Sequence, residues 1–418
     1  MDKLRVAVLG ASRSGLAAVR LLKERGAEVF LSDHREISSR AKEELEALSV
    51  AYEEGGHTEQ ILANDLIVLS PGVPINIPIL NEARRQGIPL LGELELAYRL
   101  CESKRIIAVT GTNGKSTTTH LIGELLRAAG HKAIVAGNIG NPLSGELERI
   151  DEGTIVVLEV SSFQLETIEN FHPWISLFLN FAPDHLERHG SLECYFKTKC
   201  RIFKNQTEND FAIINPSLSP LLLPLKPQVL EIDASAVSQD LLPHQREDLA
   251  AALLAARLVD SKIDPALIDL EEALALPHRL QFVAEIDGVR FYDDSKATNV
   301  AATLAALASF SDSRITLILG GRAKGESFLP LAKVVKERGI AALLIGEAAR
   351  EIAQELERAD HREFRFINDL QEGIRLAVHL GREVCLLSPA CASFDSFANY
   401  IERGLAFQRA VLALAAQR

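Results

Sequence analysis

The residues with the clearest chemistry form the run Val-Thr-Gly-Thr-Asn-Gly-Lys-Ser-Thr at 109–117, directly after the strand-like segment 105–108. A strand, a glycine-rich turn and a helix in this order bind phosphate through backbone N–H groups and the positive end of the helix. Lys115 would reach the β- and γ-phosphates of a nucleotide, and the Ser116 hydroxyl would hold Mg2+. The general pattern has glycine where this chain has Val109, and the alternative interpretation is a tight turn without a ligand. The spacing predicts a nucleoside-triphosphate site formed by Gly111, Thr112, Asn113, Gly114, Lys115, Ser116 and Thr117.

Two further groups follow apolar segments that are typical of buried strands. Glu159 lies near the end of segment 155–160, and a carboxylate at that end of a strand beside a phosphate loop is placed to bind Mg2+. Its alternative role is to cap the turn that follows. Asp184 and His185 follow segment 175–180, so we expect them at an edge of the same sheet that faces the phosphates.

The last third of the chain contains three dense polar clusters. They are the runs 292–299, 320–324 and 388–394, and each follows a strand-like segment. The carboxyl ends of strands are where open α/β sheets bind ligands. Backbone amides and cations at these positions suit an anionic substrate.

The N-terminal loop Gly10-Ala11-Ser12-Arg13-Ser14-Gly15 partly matches a dinucleotide-binding fingerprint. The first and third glycines of that pattern are present, but Ser12 replaces the second. In the pattern, the second glycine lets the backbone approach a pyrophosphate. Asp33 ends the next predicted strand, where an acidic residue would hold a ribose hydroxyl. A nucleotide-shaped site and a merely structural turn are both open interpretations of this loop.

Short apolar segments alternate with helical patterns along the chain, which predicts an α/β protein with parallel sheets. The predicted strands are 5–9, 28–32, 65–70, 89–93, 154–160, 175–180, 315–319, 341–345 and 384–387. The predicted helices are 15–25, 247–258, 328–338, 347–358, 369–380 and one from about 394 to the C-terminus. Because 418 residues exceed what a single core supports, two or three domains are expected. The pattern along the chain divides into three blocks, which predicts domains at 1–93, 94–276 and 277–418.

Composition limits the classes of function. The net charge of −12 argues against a nucleic-acid-binding protein, which needs a basic surface. No apolar run approaches the roughly 20 residues of a membrane span, and the apolar run within residues 1–10 is too short for a signal peptide. The 5 cysteines are scattered without Cys-x-x-Cys spacing, which is typical of free thiols in a reducing cytoplasm.

Taken together, the ordered motifs resemble those of the Mur ligase family over the whole chain. The motifs are 110–116, 137–140, 158–166, 184–185, Lys199, 278–279, 294–299, 320–321 with Lys324, and 388–393. The resemblance implies an α/β fold of three domains: an N-terminal Rossmann-like domain, a central P-loop ATPase-like domain with a mostly parallel sheet, and a C-terminal Rossmann-like domain. It also implies an ADP-forming ligase of peptidoglycan synthesis, with roles in cell wall biogenesis, cell shape and cell division. The runs 294–299 and 388–393 favour the member of the family that adds D-glutamate to UDP-N-acetylmuramoyl-L-alanine.

The resemblance assigns roles to residues that pattern alone leaves ambiguous. Besides the loop 111–117, ATP would contact Arg279, Asp294 and Lys296. The UDP-linked substrate would be held by Arg13, Ser14, Asp33, Arg35, Ser70, Pro71, Gly72, Asn138 and His185. D-Glutamate would be held by Thr298, Lys324, Ser393 and Phe394, with Lys324 paired to a carboxylate.

In the family, two Mg2+ ions serve the reaction. The resemblance places one ion on Ser116 and Glu159, and the second on His185 and a carbamate at Lys199. Without the resemblance, Lys199 would be interpreted as a solvated lysine. Carbamylation replaces the ammonium with a carboxylate-like group that can ligate or orient a metal ion. The implied catalytic residues are therefore Lys115, Glu159, His185 and Lys199.

One segment departs from the family pattern. Ahead of the alanine-rich helix the family usually has Gly-x-His-Asn-x-x-Asn, whereas this chain has Gln245 and Asp248 at the asparagine positions. The residues that hold adenine are therefore not predicted. The stretch 215–243 is also short for the additional strands that the family often has in its central domain.

The implied enzyme is a cytoplasmic monomer that uses ATP and Mg2+ and has no nucleic-acid or membrane partner. Its reaction would pass through an acyl phosphate, which D-glutamate then attacks. One alternative is a different amide ligase on the same scaffold, such as a folylpolyglutamate synthase or another Mur ligase. A second is a nicotinamide oxidoreductase or a non-catalytic nucleotide-binding module, against which Ser12 and the complete set of metal residues argue.

Overall fold

The computed structural model describes residues 3–222 and 224–417, so the first two residues of segment 1–10 lie outside the described part. The chain divides into two compact units, Met1–Phe181 with Glu193–Leu270, and Ala182–Leu192 with Glu271–Arg418. Within the described residues the strands form three sheets, two in the first unit and one in the second. The domain boundaries at 93/94 and 276/277 stay predictions.

The N-terminal sheet alternates short strands with helices. Its elements are β1 (Arg5–Leu9), α1 (Arg13–Glu24), β2 (Glu28–Asp33), α2 (Ser39–Ala47), β3 (Ala51–Glu54), β4 (Leu66–Leu69), α3 (Pro78–Arg85), β5 (Leu90–Gly92) and α4 (Glu93–Leu100). The strand order is β3-β2-β1-β4-β5, with parallel pairing throughout. Because the chain leaves β1 on one side and returns on the other side at β4, a crevice opens at the carboxyl ends of these two strands.

The central part of the chain has the same alternation of strands and helices. Its elements are β6 (Ile106–Thr110), α5 (Lys115–Ala128), β7 (Ala133–Gly137), β8 (Ile155–Glu159), α6 (Ser162–Leu165), β9 (Ile175–Phe178), α7 (Leu186–His189), α8 (Leu192–Cys200), β10 (Phe211–Ile214), β11 (Gln228–Glu231), α9 (Pro243–Val259) and α10 (Leu270–Leu274). The strand order is β11-β10-β9-β6-β8-β7, again with parallel pairing. Leu21 of α1 and Leu94 of α4 share an apolar cluster with Ile106 and Leu143, so the N-terminal and central sheets are joined by one core.

The sheet of the second unit has one antiparallel edge. The elements here are β12 (Gln281–Ile286), β13 (Val289–Asp293), α11 (Val300–Ala308), β14 (Ile315–Gly320), α12 (Leu329–Glu337), β15 (Ala341–Ile345), α13 (Ala349–Arg358), β16 (Phe364–Phe366), α14 (Leu370–Leu380), β17 (Val384–Leu387) and α15 (Tyr400–Ala415). The strand order is β12-β13-β17-β14-β15-β16, and only β12 pairs antiparallel. The carboxyl ends of β13, β17 and β14 therefore lie side by side.

These sheets confirm the predicted α/β fold class. Each strand predicted above forms within two residues of its expected bounds, because strands that are buried on both faces are almost continuously apolar. The expected start of the C-terminal helix is wrong. α15 begins at Tyr400 rather than near 394, since the Asn399 side chain accepts a hydrogen bond from Glu402 N at 3.0 Å and caps the helix there.

Other differences concern elements that the pattern did not reveal. The prediction lacked β3, β7, β10, β11, β12 and β16, and α9 begins at Pro243, four residues before the predicted start. All six strands are at or next to a sheet edge. Exposed polar residues interrupt the apolar run in β3, β11, β12 and β16, whereas β7 and β10 are apolar but only five and four residues long. Among the described residues, none of the helices combines the length and apolar character needed to cross a bilayer.

Candidate active site

The loop between β6 and α5 has the geometry of a phosphate cradle. Gly114 has φ +80°, and a Cβ there would lie 2.2 Å from Asp248 Oδ1, so the turn requires glycine. α5 then begins at Lys115, and the positive end of the helix borders the loop. Lys115 Nζ donates to the carbonyl oxygens of Gly111 and Thr112 at 3.0 and 2.8 Å. The ammonium thus lies against the loop backbone, where phosphate oxygens would bind.

Asn180, two residues after β9, holds this loop in shape. Its Oδ1 accepts from Asn113 N at 2.8 Å, and its Nδ2 donates to Asn113 O at 3.1 Å. Its backbone oxygen accepts from Thr112 N at 3.0 Å. Because β9 is the parallel neighbour of β6, the loop is attached both to β6, which it follows, and to the end of β9. Sequence reasoning did not include Asn180 in the site; the available signal was an amide side chain directly after a buried strand.

Val109 explains why the loop departs from the general pattern. It is fully buried in β6 and pairs with Glu159 of β8 and Leu177 of β9. The strand therefore continues through the position where the general pattern has glycine, and the turn begins only at Gly111. The glycine-rich turn from Gly111 to Gly114 and the helix start at Lys115 are retained.

Ser116 and Glu159 supply oxygen ligands of the kind that Mg2+ prefers. Both are buried, Ser116 in the first turn of α5 and Glu159 at the end of β8, the strand beside β6. Asn138 Nδ2 donates to Glu159 Oε1 at 2.6 Å and so orients the carboxylate. No cluster of three or more His, Cys, Asp or Glu side chains suited to a metal occurs among residues 3–222 and 224–417. Two protein oxygens, completed by phosphate oxygens and water, are the usual environment of Mg2+, so the residues fit this ion.

Lys199 is buried against the phosphate loop. Lys199 lies on α8 and is 1% exposed. Its Nζ donates to Gly111 O at 2.7 Å. The same nitrogen lies 4.7 Å from the centre of the Tyr195 ring. The hydroxyl of Tyr195 lies 3.5 Å from Thr112 Oγ1. Burial of an amine disfavours its charged form, and the neutral form is the one that reacts with CO2.

A cavity of about 180 Å3 in the first unit lies where the N-terminal and central sheets meet. Its lining residues are Ser12, Arg13, Ser14, Pro71, Gly72, Gly137, Asn138, Gly140, Pro142 and Gln164. Of the residues predicted to hold the UDP-linked substrate, the structure brings together Arg13, Ser14, Pro71, Gly72 and Asn138 in this lining. Arg13 Nη1 donates to Gly140 O at 3.0 Å, which links the two sides of the cavity.

Asp33, Arg35 and Ser70 lie outside this lining. Asp33 Oδ2 accepts from Ala11 N at 2.7 Å, and its Oδ1 accepts from Arg35 N at 2.9 Å. Ser70 Oγ donates to Gly10 O at 3.0 Å. These contacts hold the loop after β1 in place, and a ribose or diphosphate contact of the three residues stays a prediction.

Lys324 belongs to a buried polar cluster of the second unit. Its Nζ lies 3.1 Å from Asp184 Oδ1 and donates to Thr298 Oγ1 at 3.0 Å. Asn299 Nδ2 donates to the other oxygen of Asp184, also at 3.1 Å. Although burial alone would raise it, the Lys324 ammonium holds the pKa of Asp184 below its usual range. A cation beside a hydroxyl group in this position is suited to the carboxylate of an amino acid.

His185 follows directly in the same segment. Its backbone is left-handed, with φ +52°. Nδ1 lies 3.5 Å from Glu187 Oε1, and Nε2 lies 3.6 Å from Asp184 Oδ2. Burial lowers the pKa of His185, although Glu187 and Asp184 oppose this effect. A neutral imidazole can ligate a metal ion, so the environment of His185 is compatible with the predicted role.

Asp294, Lys296 and Arg279 form the charged part of the loops near β13. Asp294 is buried and accepts from Ser388 Oγ at 2.7 Å. Burial raises the pKa of Asp294 to about 7, against the effects of Ser388 and Arg279. Lys296 Nζ lies 4.0 Å from the centre of the Tyr400 ring. These loops can therefore present both cations and a weakly acidic carboxyl to an anionic ligand.

Ser393 and Phe394, the last predicted contacts of D-glutamate, have opposite environments. Ser393 is 2% exposed, and its backbone oxygen accepts from Ser396 N and Phe397 N. Phe394 is 61% exposed. The structure thus brings Ser393, on the loop after β17, to the same sheet edge as Thr298, and it leaves Phe394 at the surface.

Glu326 is a buried carboxyl that sequence reasoning missed. Its Oε2 accepts from Val300 N at 3.1 Å, at the first residue of α11. Burial raises the pKa of Glu326 to about 8 against this hydrogen bond, and nearby Asp184 adds to the effect. The available signal was an acidic residue two positions after Lys324.

Gln245 and Asp248 have structural contacts at the positions where the family has asparagines. Gln245 Oε1 accepts from Leu242 N at 3.1 Å, at the start of α9. Asp248 Oδ1 accepts from Thr118 Oγ1 at 3.2 Å, on the helix that follows the cradle. Gln245 therefore caps the start of α9, whereas Asp248 links α9 to α5 and packs against Gly114 of the loop.

Comparison with known proteins gives consistent matches along the chain. Three family models match: the MurD N-terminal domain at 5–76, the Mur ligase middle domain at 109–222, and the Mur ligase, glutamate ligase domain at 278–391. The UDP-N-acetylmuramoylalanine–D-glutamate ligase of Pelotomaculum thermopropionicum is 39% identical over 98% of each chain. The protein of the same name from Geobacter metallireducens is 40% identical over 98% of this chain and 97% of its own. The crystal structure of UDP-N-acetylmuramate–alanine ligase MurC from Thermotoga maritima, 20% identical, has a similar fold, with a TM-score of 0.61 over 99% of this chain and 100% of that one.

Proposed function

This chain belongs to the Mur ligase family, and we propose that it joins D-glutamate to UDP-N-acetylmuramoyl-L-alanine while ATP is cleaved to ADP and phosphate. It is a ligase of peptidoglycan precursor synthesis. The observation that carries the proposal is the near-full-length similarity to relatives of that name. The partly buried contact between Lys324 and Thr298 supports it, because an acidic amino acid needs such a cation and hydroxyl.

In the first step, the L-alanine carboxylate of the UDP-linked substrate attacks the γ-phosphate of ATP. A carboxylate–phosphate bond forms, the bond to ADP breaks, and an acyl phosphate results. Two anions approach each other here, so positive charge must be positioned in advance. Lys115 and the N-terminal end of α5 supply that charge in the first unit. We assign Arg279, Asp294 and Lys296 to the nucleotide in the second unit.

Ser116 and Glu159 would hold one Mg2+ ion, which screens phosphate charge and orients the γ-phosphate when it is bound. Asn138 both donates to Glu159 and lines the cavity that we assign to the UDP-linked substrate. The orientation of the carboxylate ligand therefore depends on the wall of the substrate site. We assign a second Mg2+ to His185 together with a carbamate on Lys199.

The carbamate would form when the neutral amine of Lys199 attacks CO2. One N–C bond forms and the nitrogen loses a proton, so a cation is replaced by an anion with two oxygen ligands. The burial of Lys199 and its contact with Gly111 O support this modification, because they place the amine in a low-dielectric position at the phosphate loop.

Replacement of Lys199 by alanine tests the carbamate. We expect Lys199→Ala to be nearly inactive and to regain part of its activity with acetate, which can occupy the place of the carbamate. Active wild-type enzyme with the mass of an unmodified Lys199, together with no rescue by acetate, would contradict the carbamate and leave the ligase assignment intact.

In the second step, the amine of D-glutamate attacks the acyl phosphate. A C–N bond forms, the C–O bond to phosphate breaks, and the amine loses a proton. Lys324 would pair with a carboxylate of D-glutamate in competition with Asp184, while Thr298 and Ser393 offer hydroxyl groups. Phe394 would contribute an apolar contact.

These assignments give each proposed domain one ligand. Residues 1–93 would hold the UDP end, 94–276 would hold ATP, and 277–418 would hold D-glutamate. We expect a monomer that acts in the cytoplasm on small molecules, without nucleic-acid or membrane partners.

An assay of ADP release tests the proposed function. With UDP-N-acetylmuramoyl-L-alanine and ATP, release should require D-glutamate and should not occur with L-glutamate, diaminopimelate or L-lysine. A requirement for a different amino acid would identify another ligase of the family. Absence of ADP release with any of these amino acids, combined with binding of NADH, would favour the oxidoreductase alternative.

A further inference from the structure

Arg403 is a buried arginine that no step above uses. It lies in the first turn of α15 and is 4% exposed. Its hydrogen bonds within the described part of the chain all go to neutral oxygen atoms. Burial lowers the pKa of Arg403 to about 10, although nearby Asp395 and Asp293 oppose this effect. The fold thus keeps a cation where burial disfavours it, which calls for a reason other than stability.

The guanidinium group joins the loops that follow three neighbouring strands. Nε donates to Ser295 Oγ at 3.0 Å and Nη2 donates to Ser295 O at 2.9 Å, after β13. Nη2 also donates to Cys391 O at 3.0 Å, after β17, and Nη1 approaches Gly320 O at 3.5 Å, at the end of β14. A Cβ on Gly321 would lie 3.0 Å from Nη1, so the loops close tightly around the guanidinium. The planar fork of arginine makes such a set of bonds possible, whereas a lysine ammonium cannot span it.

Each of these loops carries residues that we assign to a ligand. Ser295 lies between Asp294 and Lys296, and the other two loops lead to Lys324 and Ser393. We propose that Arg403 is a positioning residue that holds the nucleotide-binding and D-glutamate-binding loops of the second unit in their mutual arrangement. In this role Arg403 acts through the loops to which it donates, not through a contact with a ligand. This inference rests on the proposed function.

Replacement of Arg403 by methionine distinguishes a role in positioning the loops from a role in stabilising the fold. The methionine side chain fills a similar space, and replacement of a buried charge by an apolar group of similar volume is often tolerated by the fold. The loops would nevertheless lose their common set of hydrogen-bond donors. We therefore expect Arg403→Met to stay folded while its loops become less ordered.

The kinetic test compares Arg403→Met and Arg403→Lys with Arg409→Met, a control at an exposed arginine of the same helix. In both Arg403 variants, the KM values for D-glutamate and ATP should rise by about tenfold or more, because small displacements of positioning groups have large effects. The KM for the UDP-linked substrate should stay at the wild-type value, since its proposed site is in the first unit. Guanidinium added to Arg403→Ala should lower the raised KM values. Equal changes for all three substrates, or no change for any, would overturn the inference.

Amide hydrogen exchange without substrates provides a readout that does not depend on the reaction. In Arg403→Met, exchange should become faster in the segments 294–299, 320–324 and 388–394 and stay unchanged in the sheets. Unchanged exchange in these segments would overturn the role of Arg403. If wild-type protein does not ligate D-glutamate, the proposed function fails, and the exchange data still decide the positioning role. If Arg403→Met does not fold, Arg403→Lys serves for both measurements.

Discussion

Lys115 offers a direct residue-level test of the phosphate cradle. Its ammonium donates to two carbonyl oxygens of the loop, but Asn180 anchors the loop backbone and Gly114 forms its turn without the lysine. Lys115→Ala should therefore keep the melting temperature and lower kcat by a factor of about 100 to 1,000 or more, as removal of one preorganised charge partner does. The measurement is ADP release alongside thermal unfolding. Lys197→Ala, at an exposed lysine paired with Glu193, is the matched control. Near-normal kcat in Lys115→Ala would show that this loop is not the catalytic ATP site.

The buried carboxyl of Glu326 should make the stability of the fold depend on pH. Burial raises its pKa from an ordinary value of 4.5 to about 8, so the folded protein binds this proton more tightly than the unfolded chain. The contribution of this group to stability is complete below about pH 4.5 and is lost as the pH rises towards about 8. Glu326→Gln cannot ionise and should escape this loss.

The melting temperature of Glu326→Gln minus that of wild type should therefore increase as the pH is raised from about 5 to about 9. The increase should be steepest below about pH 8. Glu337→Gln, at an exposed carboxylate on α12, is the control for the same substitution at the surface. If the difference between Glu326→Gln and wild type does not change with pH, the Glu326 carboxyl is not buried in a low-dielectric position.

At the level of elements, a comparison of two glycines distinguishes the effect of backbone strain from the effect of a steric clash. Gly114 and Gly130 have similar positive φ angles of +80° and +85°. A Cβ on Gly114 would collide with Asp248 Oδ1 at 2.2 Å, whereas a Cβ on Gly130 meets no atom within 4 Å. Both substitutions by alanine should cost about 1 kcal/mol of stability from the backbone alone. Only Gly114→Ala should also push α9 away from the cradle and raise the KM for ATP, which ADP-release kinetics at varied ATP would detect. Equal KM values in the two variants would mean that Asp248 can move aside freely.

The elements also show which parts of the molecule sequence patterns could predict. Buried parallel strands and the turns after them were predictable, because continuous apolar runs and glycine-rich turns are local signals. Edge strands such as β3 and β16 gave no such signal, since they are only four and three residues long and contain exposed charged side chains. Asn180 and Arg403 act through hydrogen bonds to loops far away in the chain. Such contacts depend on strand order, which local patterns do not encode.

At the scale of the molecule, the proposed ligand sites are distributed over the two compact units. The cradle, Glu159 and the cavity that we assign to the UDP-linked substrate are in the first unit. Lys324, Thr298 and the loops that Arg403 joins are in the second unit. The two chemical steps therefore depend on different sets of residues, and substitutions should be able to separate them.

Lys324→Ala should separate the two steps most clearly. The variant retains Lys115, Ser116 and Glu159, so it should still form the acyl phosphate, which hydroxylamine would trap as a hydroxamate of the UDP-linked substrate. The KM for D-glutamate should rise by about 100-fold or more, because a charge-assisted contact to its carboxylate is lost. The KM for ATP should stay at the wild-type value. Lys336→Ala, at an exposed lysine on α12, is the control. Loss of hydroxamate formation in Lys324→Ala would contradict this division and would assign Lys324 to phosphoryl transfer instead.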